Sequence, residues 1–227
     1  MNHRLIYLLL FVAFVIGGCG TQQIGVTKYT QFKELPFPSN AYASGQIVEI
    51  FSKPEKVEIT FDPQVPWDQA TVSAGWSISG TENEKTKSSF ATEITRVLKG
   101  SASYNSEQKV KVNFENTQTR IVPKNTIFGY VGKAIKDDPT LAKMLAVYRK
   151  NGTHFDVITQ TLTANVTFSV VDTNGQEVDI DSEVIKKLNS EFNLKFERQA
   201  NGGKSIAGTN LVVGIHYDTE MIDLLLQ

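Results

Sequence analysis

Residues 154–162, HFDVITQTL, and 165–172, NVTFSVVD, read as two strands, rich in Val, Ile, Thr and Phe. Asn174-Gly175 follows the second run, and that pair is a strong signal for a tight turn. Residues 166–180, VTFSVVDTNGQEVDI, therefore read as a hairpin or near-hairpin. Hairpin signals put consecutive strands antiparallel. The flanking segments have a different period, and that combination sets the fold class.

Upstream, Asp138-Pro139 opens DPTLAKMLAVYRKNG, with Asp138 as N-cap and Pro139 in the first helical position. Arg149 and Lys150 oppose the helix dipole, and Gly152 ends the helix. Leu141, Met144, Leu145 and Tyr148 form its apolar stripe. Downstream, SEVIKKLNSEF reads as a short helix capped by Asp181 or Ser182, with Val184, Ile185, Leu188 and Phe192 inward. The closing part, from Asn193, holds two more strands around a glycine turn. In the second of these, Leu211, Val213, Ile215 and Tyr217 alternate with Val212, Gly214 and His216.

Earlier in the chain, Val57, Ile59 and Phe61 alternate with Glu58 and Thr60, and Lys53-Pro54-Glu55 reads as the turn of a hairpin begun at Ile47. Val72, Ala74, Trp76 and Ile78 alternate in turn, with Trp76 expected against the core. Phe90, Ile94, Val97 and Leu98 share one helical face, with Gly100 at the C-cap. Lys109–Phe114, KVKVNF, turns Val110, Val112 and Phe114 inward, and its outward lysines suit an edge strand. The expected fold is α+β, an antiparallel sheet with two to four short amphipathic helices, in one domain over 41–227.

The N-terminus answers a different question. Leu5–Ile16 is an apolar run of a dozen residues, shorter than the roughly 20 needed to cross a bilayer as a helix. It fits the h-region of a secretory signal. Ile16-Gly17-Gly18-Cys19 resembles the lipobox of bacterial lipoproteins. The resemblance implies cleavage after residue 18, acylation of Cys19, and anchoring by two or more acyl chains. Residues 1–18 are then the signal peptide and 19–40 a lipidated tether. Gly20 after the cysteine implies the outer membrane.

Cys19 is the single cysteine, so the mature domain can form no internal disulfide. Losing residues 1–18 from 227 leaves 209 residues, with 22 Lys plus Arg against 24 Asp plus Glu, a net charge of −2. That balance excludes a nucleic-acid binder of the ordinary basic kind.

No motif for catalysis, metal or cofactor survives inspection. Gly202-Gly203-Lys204-Ser205 lacks the leading glycine of a phosphate loop, since Arg198 stands there. Gly75-Trp76-Ser77-Ile78-Ser79 lacks the last glycine of a nucleophile elbow. His154 and His216, beside Asp156 and Asp218, are too few for a zinc site.

HFDVITQTL, the next strand, a short helix and KSIAGTNLVVGIHY (204–217) loosely resemble the closing part of the gasdermin pore-forming domain, over Phe155–Tyr217. The resemblance implies membrane perturbation, with amphipathic strands such as KVKVNF and NVTFSVV rearranging in a bilayer. The leading expectation is a non-enzymatic envelope lipoprotein, held in the membrane through lipid on Cys19, whose α+β domain binds a protein or small molecule. The alternative is a gasdermin-like membrane-perturbing protein.

Overall fold

The computed structural model describes residues 32–52, 55–74, 78–81, 89–101, 104–105, 107–192, 195–198 and 204–227. The fold is α+β: ten strands in one antiparallel sheet, with five short α-helices among the described residues. The strands are β1 (Lys33–Ser39), β2 (Ile47–Ser52), β3 (Glu55–Phe61), β4 (Thr71–Ala74), β5 (Ile78–Thr81), β6 (Lys109–Ile121), β7 (Phe155–Val171), β8 (Glu177–Val178), β9 (Glu197–Arg198) and β10 (Ile206–Asp218). The helices are α1 (Ser89–Lys99), α2 (Lys124–Asp137), α3 (Pro139–Lys150), α4 (Ser182–Phe192) and α5 (Met221–Leu225).

Everything hangs on β7. The two expected runs are one strand of 17 residues. Thr163-Ala164-Asn165 dilutes the hydrophobic pattern without interrupting the backbone ladder. Along one edge β7 pairs with β10, and along the other with β2 at its start and with β6 from Gln160 to Val171. A strand paired on both sides has no free backbone groups to lose to water.

β6 is likewise internal, since β4 and β5 pair with its far side, so its outward lysines do not guard an edge. Val110, Val112 and Phe114 do point into the core. Beyond Phe114 the strand continues to Ile121 with polar residues. Val72 on β4 is 51% exposed instead of half-buried. Trp76 lies outside the described residues.

The expected tether over 19–40 overlaps a strand. Residues 33–39, assigned to it from Pro36 and Pro38, form β1 against β10, and Phe32 and Leu35 are buried. Proline is tolerated there because β1 pairs with β10 alone and its register shifts between Glu34 and Ser39. The folded domain therefore includes residues from 32 onward.

Three clusters make the core. The largest lies under α1 and α4, where Phe90 meets Phe114, Phe168 and Phe196 at centroid distances of 6.1 to 6.4 Å. The second packs Ile127, Val131 and Ile135 of α2 and Leu141 and Leu145 of α3 onto Ile47, Phe155 and Val157. The third gathers Leu35, Val48, Val57, Ile158, Val212 and Ile215 where the sheet curls far enough for β1 to touch β3.

Ile215 thus shares a cluster with Val212, not with Leu211 and Val213 as strict alternation demands. A register shift between Val212 and Gly214 reverses the phase.

Asp138 caps α3 as expected, its Oδ1 accepting the N–H groups of Thr140 (2.9 Å) and Leu141 (3.1 Å). Asp181 takes the same role for α4, accepting from Glu183 N–H at 2.9 Å. Gly175 completes its turn at φ +77°, and β8 pairs back on β7.

Candidate functional site

The alternation of β7 gives its C-terminal half two unlike faces. Leu162, Ala164, Val166, Phe168 and Val170 enter the large core. Thr161, Thr163, Asn165, Thr167 and Ser169 point the other way. The register pairs these with β6 in order: Arg120 with Thr161, Gln118 with Thr163, Glu115 with Asn165, Asn113 with Thr167 and Lys111 with Ser169. The result is a polar stripe carrying hydroxyls, amides and both signs of charge.

Both neighbours of β7 bulge at one level of this stripe. The β6 register shifts between Glu115 and Gln118, where Asn116 takes φ +51°, and the β10 register shifts between Gly208 and Leu211, where Asn210 takes φ +53°. Asparagine is among the few side chains that enter the left-handed region readily. Asn165 holds the β10 bulge, its Oδ1 accepting from Asn210 N–H at 3.0 Å. Bulges of this kind re-aim the side chains beside them.

Above the bulges lies a groove of about 200 Å³, lined by Lys111, Asn113, Glu115, Thr167, Ser169 and Glu177 among others. Asn113 Oδ1 is buried without a hydrogen-bond partner, and so is Thr161 Oγ1 further along the stripe. The arrangement offers donors and acceptors at strand spacing, about 6.8 Å between successive same-face residues. It can hold a polar ligand.

A second group of side chains gathers at the start of β7. Asp156 is buried at 7% exposure and lies beside the pairing of β7 with β2. Burial, chiefly, pushes its carboxyl up to about 6; His154 lowers it and Asp218 raises it further. Burial also raises Asp218, but the hydrogen bond from Lys124 (2.7 Å) and those from the Glu220 and Met221 N–H groups outweigh it. Asp218 therefore stays ionised, caps α5 and repels Asp156. His216 Nδ1 is engaged by Thr159 Oγ1 at 2.9 Å.

Cys19, Ser77, Gly202 and Gly203 lie outside the described residues. Lys204 donates to the Glu177 carbonyl at 2.8 Å. Among the described residues, no three His, Cys, Asp or Glu side chains stand close enough to hold a metal ion, and no helix is long and apolar enough to cross a membrane. Sequence reading missed the polar stripe, although its signal, five alternating polar residues from Thr161 to Ser169, was present. It also missed the burial of Asp156, for which no local signal exists.

No family model and no curated protein matches the chain. Among solved structures, it is similar to a bacterial gasdermin from Bradyrhizobium tropiciagri, at 10% identity and a TM-score of 0.44, over 84% of this chain and 82% of that one.

Proposed function

We propose that the chain is a lipid-anchored bacterial envelope protein that acts by binding and not by catalysis, with the polar face of β6 and β7 as its contact surface. The anchor is Cys19, on the strength of Ile16-Gly17-Gly18-Cys19. One observation carries the choice of surface: Asn113 Oδ1, in the lining of the groove, is buried without a partner. An unmade hydrogen bond costs about 1–3 kcal/mol, and a ligand that supplies it recovers that energy. The ligand class is polar, a hydroxyl- or amide-rich small molecule or an extended protein segment.

The test has two parts. Intact-mass analysis and fractionation of wild type beside Cys19→Ala, expressed in a bacterium, reads the anchor: loss of residues 1–18, gain of acyl mass and membrane partition are expected of the wild type alone. A photo-cross-linking residue at position 113 then reads the surface in the cell. A discrete adduct that disappears on Lys111→Ala or Thr167→Val supports the reading. An adduct indifferent to both, or reproducible turnover of an ester, peptide or glycan by the purified chain, rejects it.

A second reading is favoured by one different observation. Thr161 to Val170 alternates polar and apolar residues without a break, and a tilted transmembrane strand needs about 9–11 residues. The resemblance of Phe155–Tyr217 to the gasdermin pore-forming domain implies the same activity. Under this reading the helices over the large core lift away and the apolar face of β7 meets lipid. Dye-loaded anionic liposomes that stay intact with the full chain at saturating surface density remove it.

A further inference from the structure

Residues 124–150, the α2–α3 helix pair, carry six Lys and Arg against two Asp, a surplus of four positive charges in a chain whose net charge is −1. Lys124 is paired with Asp218 and Arg149 with Asp223 at 2.7 and 2.8 Å. Lys133, Lys136, Lys143 and Lys150 are exposed, and among the described residues none of them has an ion pair.

Their placement follows from helical period. Ile127, Val131 and Ile135 bury one side of α2, so Lys133 and Lys136 stand on the opposite side. Leu141 and Leu145 bury one side of α3, which leaves Lys143, Val147 and Lys150 outward. The two acids of the segment, Asp137 and Asp138, sit together at the bend, where Asp138 is committed to capping α3.

Large apolar side chains are exposed on the same pair: Phe128 (41%), Tyr130 (37%), Val147 (49%) and Tyr148 (51%). Aromatic rings with lysines between them suit the boundary of a bilayer, where rings sit at headgroup depth and ammonium groups reach the phosphates.

We infer that the α2–α3 face docks on an anionic lipid surface. Charge complementarity identifies the occupant, and the chain's own geometry permits the approach. Between Cys19 and Phe32, the first described residue, 12 residues intervene, which span at most about 45 Å when extended. This last step rests on the Cys19 anchor; the charge argument does not. Each lysine held near an anionic surface is worth about fivefold in partition. Docking on this face therefore weakens steeply with salt.

The experiment uses the full chain on vesicles of phosphatidylcholine, with and without phosphatidylglycerol, and a lysine-acylating reagent read by mass spectrometry. Lys133, Lys136, Lys143 and Lys150 are expected to be shielded severalfold on the anionic vesicles only, and to become reactive again at high salt. Lys56 and Lys109, on other faces, are expected to label alike on both. Equal labelling of the four on both vesicles, or shielding shared by Lys109, overturns the inference.

Flotation of the Cys19→Ala chain, alone and with Lys133→Gln and Lys143→Gln added, separates docking from anchoring. A roughly twentyfold loss of phosphatidylglycerol-dependent flotation in the triple variant supports docking whether or not the anchor exists. No loss overturns it, even where mass analysis has established the lipid.

Discussion

Replacing Asp156 by Asn should stabilise the domain, and by an amount that grows with pH. Asp156 is buried on β7 opposite Val48 of β2, and the charged neighbours of its carboxyl are His154 and Asp218. Burial and the ionised Asp218 lift it to about 6, against 3.8 when free. A folded state that holds its proton more tightly than the unfolded chain is favoured in acid. This contribution is complete below about pH 4, fades as pH rises through 6, and is absent above 7. The difference of about two units corresponds to about 3 kcal/mol between those limits. Asparagine keeps the shape and cannot ionise, so Asp156→Asn should gain roughly 2–3 kcal/mol over wild type at pH 7.5 relative to its difference at pH 4. For a chain of this size that is a rise of about 5–10 °C in Tm. Urea denaturation of both proteins across pH 4 to 8 reads it directly, with the difference in unfolding free energy plotted against pH. Parallel curves would refute the reasoning, because they would mean that Asp156 titrates alike folded and unfolded.

Other substitutions test other parts of the account. Gly45 has φ +96°, and an added Cβ would fall 2.2 Å from Val65 Cγ2, so Gly45→Ala should cost about 2–4 kcal/mol in urea denaturation, partly restored by Val65→Ala. Asp138→Ala should cost about 1 kcal/mol by removing the α3 cap, and Asp138→Asn much less, with helix loss followed by circular dichroism. Thr161→Val removes a buried hydroxyl that has no partner and should be neutral or stabilising by up to about 1 kcal/mol in thermal melts; a clear loss would mean that the hydroxyl is satisfied in the free protein. Phe168→Ala opens a cavity beside Phe90 and Phe196 and should cost about 3–5 kcal/mol, read as a fall in the denaturation midpoint.

The parts of the fold legible in the sequence were those whose local chemistry agrees with their tertiary place. Helix α3 is an example: Asp138, Pro139 and the Leu141–Leu145 pair act within a few residues of one another. Hairpin β2–β3 is another, since the two runs pair antiparallel as their alternation suggests, although a register shift between Ile47 and Val48 interrupts the ladder and Ile59 is exposed. Helix α2 was illegible because Gly129 and Gly132 lower its propensity and Pro123 stands at its N-cap with no capping side chain. It is held by packing of Ile127, Val131 and Ile135, and Gly132 lets α5 approach: a Cβ there would lie 3.0 Å from Leu225 Cδ2. Strand β1 was hidden by its prolines, which signal a linker unless the far edge of β10 is known to be free. The polar stripe was visible as alternation. Its meaning was not, because only the register with β6 shows that polar residues meet polar residues along its length.

The placement of the two surfaces on β7 decides whether they can work together. The α2–α3 pair packs on the strand's start, at Phe155 and Val157, while the polar groove is centred near Thr167 and Ser169. Ten residues of strand separate Val157 from Thr167, about 34 Å of backbone. A domain resting on a bilayer through Lys133, Lys136, Lys143 and Lys150 would therefore keep its groove well clear of the headgroups and open to a ligand in solution. Loss of the lysines should then leave groove binding unchanged, and loss of Asn113 or Thr167 should leave vesicle binding unchanged. Coupling between the two would require a different event: movement of β7 itself, since it is the one element that both surfaces share. The second reading asks for no such movement, because there α1 and α4 lift away while β7 keeps its ladders with β6 and β10, as a strand in lipid must. A ligand of the groove should therefore leave vesicle docking and any membrane perturbation unchanged, and a change in either would mean that β7 moves.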